Sequence, residues 1–191
     1  MTGRTHDAIA FSALVTVAAF YPIEGMTIYT LFGGVVGNII GGVLPDIDQA
    51  GNRLWDLLPA GNYLGKVFRR VFYKHRTLTH SFLGLSIIWK AMQYLTHAFV
   101  NPAFADPNII FVAIMIGYIS HLFADSLTEE GIPLLFPLKF KFGIPPITSW
   151  RIVTGGWFEN YVIMPGILVY LVFFIRNQAE PLLKIFTTLR H

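Results

Sequence analysis

Long apolar stretches, separated by shorter polar segments, dominate the chain. Five such stretches fall at roughly 8–23, 28–45, 81–100, 109–127 and 160–175. Several approach the ~20 residues that an α-helix needs to cross the hydrocarbon core of a bilayer. A single run of this kind also fits the buried core of a soluble protein, but five in one short chain favour the membrane. The pattern therefore predicts an all-α, polytopic helical membrane protein with about five membrane-embedded helices.

Composition supports lipid rather than water as the main solvent. The 191 residues are 54% hydrophobic and only 13% charged, whereas soluble globular domains are about 25% charged. The length predicts a single domain over residues 1–191. There is no cysteine, so disulfides and thiolate ligands are excluded, and any metal must be bound through nitrogen and oxygen.

A glycine pattern marks the second apolar stretch. Gly33, Gly37 and Gly41 recur every fourth residue, which places them on one face of a helix. Small residues at this spacing let neighbouring helices approach closely in a membrane. We expect helix packing here, because a glycine-rich phosphate loop would need a following Lys-Ser/Thr, which this segment lacks.

The basic residues are distributed unevenly among the connecting segments. Segment 46–80 holds six of the 14, namely Arg53, Lys66, Arg69, Arg70, Lys74 and Arg76, whereas segment 101–108 holds none. Because lysine and arginine accumulate in cytoplasmic loops, the N-terminus and segments 46–80 and 128–159 are predicted to be cytoplasmic. Three further basic residues follow the last apolar stretch, which leaves open whether that stretch crosses fully or lies at the interface.

Histidine and aspartate gather at four ends of the predicted spans. They occur in "THD" at 5–7, "LPDID" at 44–48, "HRTLTH" at 75–80 and "HLFAD" at 121–125. The topology derived from lysine and arginine places all four ends on the cytoplasmic side. The topology rests on lysine and arginine, whereas the clusters consist mainly of histidine and aspartate. Two separate features of the sequence therefore place these four segments in one plane, and we expect them to converge on one site.

His121 and Asp125 form the clearest metal-binding pattern in the chain. They are four residues apart on a predicted helix, so both side chains project from one face. A neutral imidazole beside a carboxylate suits zinc or manganese. On a soluble helix this spacing more often gives a hydrogen bond, but ionisable groups in membrane segments are costly and tend to be functional.

Asp46 and Asp48 follow Pro45 at the end of the second apolar stretch. Two carboxylates held this close repel each other unless a cation neutralises them. The pair therefore fits either a metal site or a helix-ending turn whose aspartates face water.

His75 and His80 are five residues apart, which on an ideal helix means different faces. We predict that His75 lies in a loop and His80 on the following helix, with Thr77 or Thr79 as the N-cap. Both rings could then point to one site. Arg76 between them fits binding of an anionic substrate, pairing with an aspartate, or simple anchoring at the cytoplasmic face.

The full set of predicted metal ligands includes His6, which lies at the start of the first span. It comprises His6, Asp46, Asp48, His75, His80, His121 and Asp125. A catalytic zinc ion takes three protein ligands and a water, so the set fits two bridged ions, or one ion with orienting residues and a base. We predict Asp48 as general base, Arg76 as a further catalytic residue, and Zn²⁺ or alternatively Mn²⁺ as the divalent metal.

These motifs also resemble a known family. "GGVLPDID", "HRTLTHS", "GYISHLFADSLTEEGIPLLFP" and "KFKFGIPP" are similar to the LexA-regulated, membrane-bound metal-dependent hydrolase family of bacterial inner membranes, over residues from His6 to about Glu159. That family is distantly similar to zinc-dependent phospholipases C. The resemblance implies hydrolysis of an ester or phosphoester, including that of a lipid, by a metal-activated water. It also implies that Thr128 and Gly131 shape the turn after Asp125.

Membrane lipids are the predicted partners, and nucleic acid is not, because no aromatic and basic platform lies outside the membrane loops. Trp150 and Trp157 fit anchoring at the membrane boundary. The alternative is a non-enzymatic membrane protein, either a metal or ion transporter or a metal-stabilised structural partner. A transporter would carry its ligands near the bilayer midplane, whereas these ligands lie at span ends.

Overall fold

Helices make up the regular structure of the protein. The computed structural model describes residues 1–21, 23, 26–48, 78–138 and 140–189. In these ranges the α-helices are α1 (Gly3–Phe20), α2 (Ile28–Val43), α3 (Phe82–Phe99), α4 (Pro107–Ser126), α5 (Met164–Asn177) and α6 (Ala179–Thr187). A 3₁₀ turn extends α2, and a π-helical turn leads into α5. The described part contains no β-strand, and two isolated β-bridges pair Thr128 with Ile152 and Ile132 with Phe142. The all-α prediction is confirmed there.

Three helical segments are long and apolar enough to cross a membrane. They are Ile28–Ile47, Pro107–Ser126 and Glu159–Asn177, with mean hydropathies of 1.5, 1.8 and 1.4. The stretches predicted at 8–23 and 81–100 also form helices, but α1 begins with charged residues and α3 carries Lys90 and other polar residues along its length. Three spans are therefore supported among the described residues, and the predicted number of about five is not confirmed.

α2 and α4 pack closely along the glycine face. Gly33 lies against Ile110 and Gly41 against Ile114, so the two helices run parallel. A Cβ at position 41 would collide with the backbone carbonyl of Ile114, which is why only glycine allows this approach. The predicted role of the glycine pattern in helix packing is confirmed.

α4 is the central helix of the bundle. Most side chains of the apolar core belong to this helix, and Leu44 and Ile132 pack against them. The core residues of α4 are Phe111, Ile114, Met115, Tyr118 and Leu122. Of the apolar stretch in Pro107–Ser126, 67% is buried inside the protein. The ionisable side chains of His121 and Asp125 on this helix are therefore packed inside the protein.

α1 runs alongside α5 and opposite to α4. The amide of Thr2 donates to Glu159 at 2.7 Å, and the hydroxyls of Thr16 and Tyr170 lie 2.7 Å apart, so α1 and α5 point the same way. The start of α1 lies beside Asp125 at the end of α4. One end of the bundle thus collects the start of α1 and the ends of α2 and α4.

The turn after α4 closes this end of the bundle. The hydroxyl of Thr128 donates to the carbonyl of Asp125 at 2.8 Å, and Gly131 adopts a φ of 61°, a conformation that favours glycine. The guanidinium of Arg151 donates to the carbonyl of Pro145 at 2.7 Å. The turn residues expected from the family resemblance therefore do shape the segment that follows Asp125.

Candidate metal centre

Four separate helix ends bring histidine and aspartate side chains together. His6 lies in the first turns of α1, Asp46 in the 3₁₀ turn after α2, His80 just before α3, and His121 and Asp125 in the last turns of α4. One ligand atom from each of the last four residues lies within 4.8 Å of the others. The predicted convergence is confirmed for these residues.

The carboxylate of Asp125 occupies the centre of the cluster. Its Oδ1 lies 3.1 Å from Nε2 of His6 and 2.9 Å from the α-ammonium group of Met1. Its Oδ2 lies 3.4 Å from Nε2 of His80 and 3.6 Å from Nε2 of His121. A buried carboxylate needs positive or hydrogen-bonding partners, and here several of them face it from three chain segments.

Asp46 approaches the same two imidazoles from the other side. Its Oδ1 lies 3.7 Å from Nε2 of His80 and 3.7 Å from Nε2 of His121. These distances exceed the ~3.2 Å limit of a good N–H···O hydrogen bond. They are close to the ~3.3 Å that separates two tetrahedral ligands each about 2.05 Å from one zinc ion. The spacing fits ligands of a shared cation better than it fits a hydrogen-bonded network.

The remaining ring nitrogens orient the two imidazoles. Nδ1 of His121 donates to the carbonyl of Gly42 at 2.7 Å, which leaves the Nε2 lone pair directed at the cluster. Nδ1 of His80 lies 3.1 Å from the hydroxyl of Thr79. Metal-binding histidines almost always have such a partner on their second nitrogen, because it sets the tautomer and the ring orientation.

His6 is placed differently from the other two histidines. Its ring stacks on that of His121, with centroids 3.8 Å apart and an interplanar angle of 10°. It contacts Asp125 through Nε2, at the oxygen turned away from His80 and His121. We therefore interpret His6 as a residue that orients Asp125, rather than as a ligand of the same ion.

Several buried polar atoms in the cluster remain unsatisfied. Within the part of the chain that the structure describes, Oδ1 of Asp46, Nε2 of His121 and Nδ1 of His6 have no hydrogen-bond partner. Each such atom costs about 1–3 kcal/mol. A divalent cation between Asp46 and His121 would satisfy the first two, so the residues present fit a bound metal.

The protonation state of His80 also suits a metal ligand. Burial lowers the pKa of His80 below its ordinary value, and hydrogen bonding with Asp125 opposes this only in part. The ring is therefore neutral at physiological pH, and the neutral imidazole is the form that binds a metal.

The start of α3 differs from the prediction. Its N-cap is Ser81, whose hydroxyl accepts from the amide of Gly84 at 3.1 Å, rather than Thr77 or Thr79. His80 consequently lies in the turn before the helix and not on the helix. Thr79 contributes differently, through its contact with the His80 ring.

Three predicted site residues are not located by the structure. His75 and Arg76 lie outside the described residues. The backbone of Asp48 forms the end of the 3₁₀ turn, but its side chain is also outside the described part. The roles of Asp48 and His75 as ligands, of Asp48 as base and of Arg76 as a catalytic residue stay predictions.

Glu159 is a buried carboxylate to which the sequence assigned no role. It is 0% exposed and accepts hydrogen bonds from the amide and the hydroxyl of Thr2 at 2.7 and 2.8 Å, and from the amide of Gly155 at 2.8 Å. These bonds position the N-terminal segment that carries His6. An acidic residue at the start of a long apolar stretch was the available signal, because such groups are rarely tolerated without a partner.

The fold and the cluster together define a helical membrane protein with a candidate metal centre at one end of its bundle. Residues 1–183 match the family described as YdjM inner membrane protein, and the chain belongs to that family. This membership and the three apolar spans place the protein in the inner membrane.

Two groups of relatives accompany this family match. The chain is 28% identical to the uncharacterized protein YvsG of Bacillus subtilis over 163 residues, which are 85% of this chain and 88% of that protein. It is 32% identical over 138 residues to the inner membrane protein YdjM of Escherichia coli and, equally, of Shigella flexneri. That match covers 72% of this chain and 64% of the relative. No solved structure matches the chain.

Proposed function

We propose that the protein is a membrane-embedded, metal-dependent hydrolase that cleaves an ester or phosphoester bond. The observation that carries this proposal is the spacing of 3.4 to 3.7 Å between the imidazole Nε2 atoms of His80 and His121 and the carboxylates of Asp46 and Asp125. Two histidines and two aspartates form a ligand set suited to zinc or manganese.

The residues of the cluster divide into ligands and supporting groups. Three of the four residues Asp46, His80, His121 and Asp125 would bind one divalent ion and leave its fourth position to water, and the predicted His75 and Asp48 would contribute to a second ion. When bound, the ion supplies a water of pKa near 7 and a Lewis acid for the ester oxygen. Asp48 is the residue we propose to accept the proton of that water, and Arg76 to bind the negative charge of the substrate.

Differences in exposure indicate the side from which a substrate approaches. The side chains of His80, His121 and Asp125 are at most 2% exposed, whereas that of Asp46 is 26% exposed. A substrate therefore reaches the cluster over Asp46. Asp46 lies seven residues before Arg53, the first residue of the basic segment 53–76, which would attract an anionic headgroup.

We place the metal centre on the cytoplasmic side of the inner membrane. The support is the positive-inside pattern, which assigns segment 46–80 to the cytoplasm. Trp150 and Trp157 lie in the segment that closes the same end of the bundle and are 71% and 70% exposed. Exposed tryptophans are typical of the lipid–water boundary, where a lipid headgroup would reach the metal centre.

A structural metal site is the second candidate. The near-complete burial of His80, His121 and Asp125 favours it, because structural sites are closed and have no position for a substrate. A transporter is less well supported, since its ligands would lie near the bilayer midplane on broken helices, and these lie at helix ends.

The test is to measure metal content and hydrolysis in the same preparations. Purified protein would be assayed for bound metal by mass spectrometry, and for turnover of a generic phosphodiester and of lipid esters. We expect His80→Ala and Asp125→Ala to lose both metal and turnover. The matched control is His97→Ala, because His97 is exposed and contacts Asn108 far from the cluster.

Each alternative gives a different result. Equal metal and equal turnover in the cluster variants and the wild type would contradict the hydrolase. Metal without any turnover in the wild type, together with unfolding of the variants, would indicate the structural site. Metal uptake into sealed vesicles would indicate the transporter.

A further inference from the structure

An apolar groove lies between α1, α4 and α5 and has a volume of about 820 Å³. This size is within the range of ~300–1,000 Å³ that is usual for ligand sites. Its lining includes Ile9 and Ala13 of α1, Ile116 and Phe123 of α4, and Gly166 and Ile167 of α5.

One end of the groove lies level with the metal centre along the bundle. On α1, Ile9 lies three residues after His6 and Ala13 four residues further on, so the three share one face of the helix. On α4, Phe123 lies at the same height as His121 and Asp125 but on the opposite face of the helix, where it is 56% exposed. The lined part of α1, from residue 9 to residue 17, extends about 12 Å along the axis. The groove therefore runs along the outer face of α4, away from the end that carries the metal centre.

The lining offers no free hydrogen-bonding group to an occupant. The hydroxyls of Ser12 and Ser120 donate to backbone carbonyls of their own helices, at 2.7 and 2.8 Å. The hydroxyl of Thr16 lies 2.7 Å from that of Tyr170, which joins α1 to α5 across the groove. Because every hydroxyl in the lining is already engaged, the groove suits an apolar occupant.

The surroundings of the groove indicate which apolar occupant it would bind. Two of its walls, α4 and α5, belong to segments that are long and apolar enough to cross the membrane, and only 6% of the apolar stretch in Glu159–Asn177 is buried. Lipid hydrocarbon is the solvent at this depth. A void open to it fills with an acyl chain unless another protein covers it.

We propose that the groove binds one acyl chain of a membrane phospholipid. This occupancy does not rest on the proposed function. A helix from a second copy of the chain is the competing occupant.

Gly166 allows the groove to be filled without disturbing the protein. A Cβ at this position would meet nothing within 4 Å, so the side chain in Gly166→Leu extends into the groove, and leucine favours a helix more than glycine does. The matched control is Val169→Leu on the same helix. Val169 is 68% exposed and is absent from the groove lining.

The experiment uses the purified full chain in nanodiscs of phosphatidylethanolamine and phosphatidylglycerol. A phosphatidylglycerol with a diazirine on its acyl chain is photolysed, and labelled peptides are identified by mass spectrometry. We expect label on residues 9–17 of wild-type α1. Gly166→Leu should reduce that label roughly tenfold, equivalent to about 1.4 kcal/mol, and Val169→Leu should leave it unchanged.

Equal labelling of residues 9–17 in all three proteins, or no label there in the wild type, would overturn the proposal. Crosslinks between two copies across the groove would overturn it as well, by identifying a protein occupant. Because the readout is the position of the label on the chain, the result is independent of turnover. Label on the groove residues, together with no hydrolysis of any ester, would support the lipid site and contradict the proposed hydrolase activity.

Discussion

α4 and α5 have similar hydropathy but opposite roles in the structure. Of their apolar stretches, 67% is buried inside the protein in Pro107–Ser126 and 6% in Glu159–Asn177. α4 buries His121 and Asp125 at one end of the bundle, whereas most of α5 is not covered by other parts of the protein. Hydropathy thus identifies a membrane span, but the position of its polar residues decides whether it packs against protein or lipid.

The largest expected effect is at the polar end of α4. Asp125→Ala removes the carboxylate that faces three histidines and pairs with the buried α-ammonium group of Met1, and we expect it to lower the free energy of unfolding by about 3–5 kcal/mol, the usual result of removing one partner of a buried ion pair. Denaturation in detergent micelles, followed by circular dichroism, measures this.

The control on the other helix is Val172→Ala. Val172 is 72% exposed on α5, so the free energy of unfolding should change by no more than about 0.5 kcal/mol. Comparable losses of unfolding free energy in Asp125→Ala and Val172→Ala would show that α5 is as important for packing as α4, and would contradict the contrast between the two helices.

Glycine to alanine substitutions give the next largest contrast. Gly41→Ala places a Cβ against the backbone carbonyl of Ile114, so α2 and α4 must separate, and we expect a loss of about 1–3 kcal/mol in stability. Because α2 and α4 carry Asp46 and His121, metal affinity should fall as well. Titration with zinc, monitored by calorimetry, measures the second effect.

Gly166→Ala is the corresponding substitution on α5. Nothing lies within 4 Å of the added Cβ, and alanine in a helix is favoured over glycine by about 0.5–1 kcal/mol. Stability should therefore stay the same or rise slightly. A loss like that of Gly41→Ala would mean that α5 is closely packed at this position.

The smallest effect concerns the polar contact between α1 and α5. Thr16→Val removes the hydroxyl that lies 2.7 Å from that of Tyr170, and interhelical hydrogen bonds in membranes contribute on average about 0.6 kcal/mol. Tyr170→Phe should lose the same amount, and the double variant no more than either alone. Additive losses in a thermal unfolding series would show that the two hydroxyls do not act together.

The N-cap of α3 could not be predicted from the sequence alone. Thr77, Thr79 and Ser81 all carry a hydroxyl suited to an N-cap, and local preference does not separate them. Ser81 is the cap, and the turn before it is held by the hydroxyl of Tyr118 on α4, which donates to the carbonyl of Thr79. The choice among the three depends on a helix that lies almost 40 residues away in the chain.

Glu159 shows a similar limit. Its acidic side chain at the edge of an apolar stretch was visible in the sequence, but its partners, Thr2 and Gly155, were not. A hydrogen bond between positions 2 and 159 has no counterpart in any local spacing rule. Only packing of α1 beside α5 brings the donors to the carboxylate.

Sequence alone determined the helical character, the close-packing glycine face and the set of helix ends that would carry the metal ligands, because hydropathy, residue spacing and charge distribution act locally along the chain. Tertiary structure decided which of the predicted ligands meet, their separation of 3.4 to 3.7 Å, and the groove between α1, α4 and α5. Those features depend on distances between segments far apart in the chain, and only the packing of α1, α2 and α5 around α4 sets such distances.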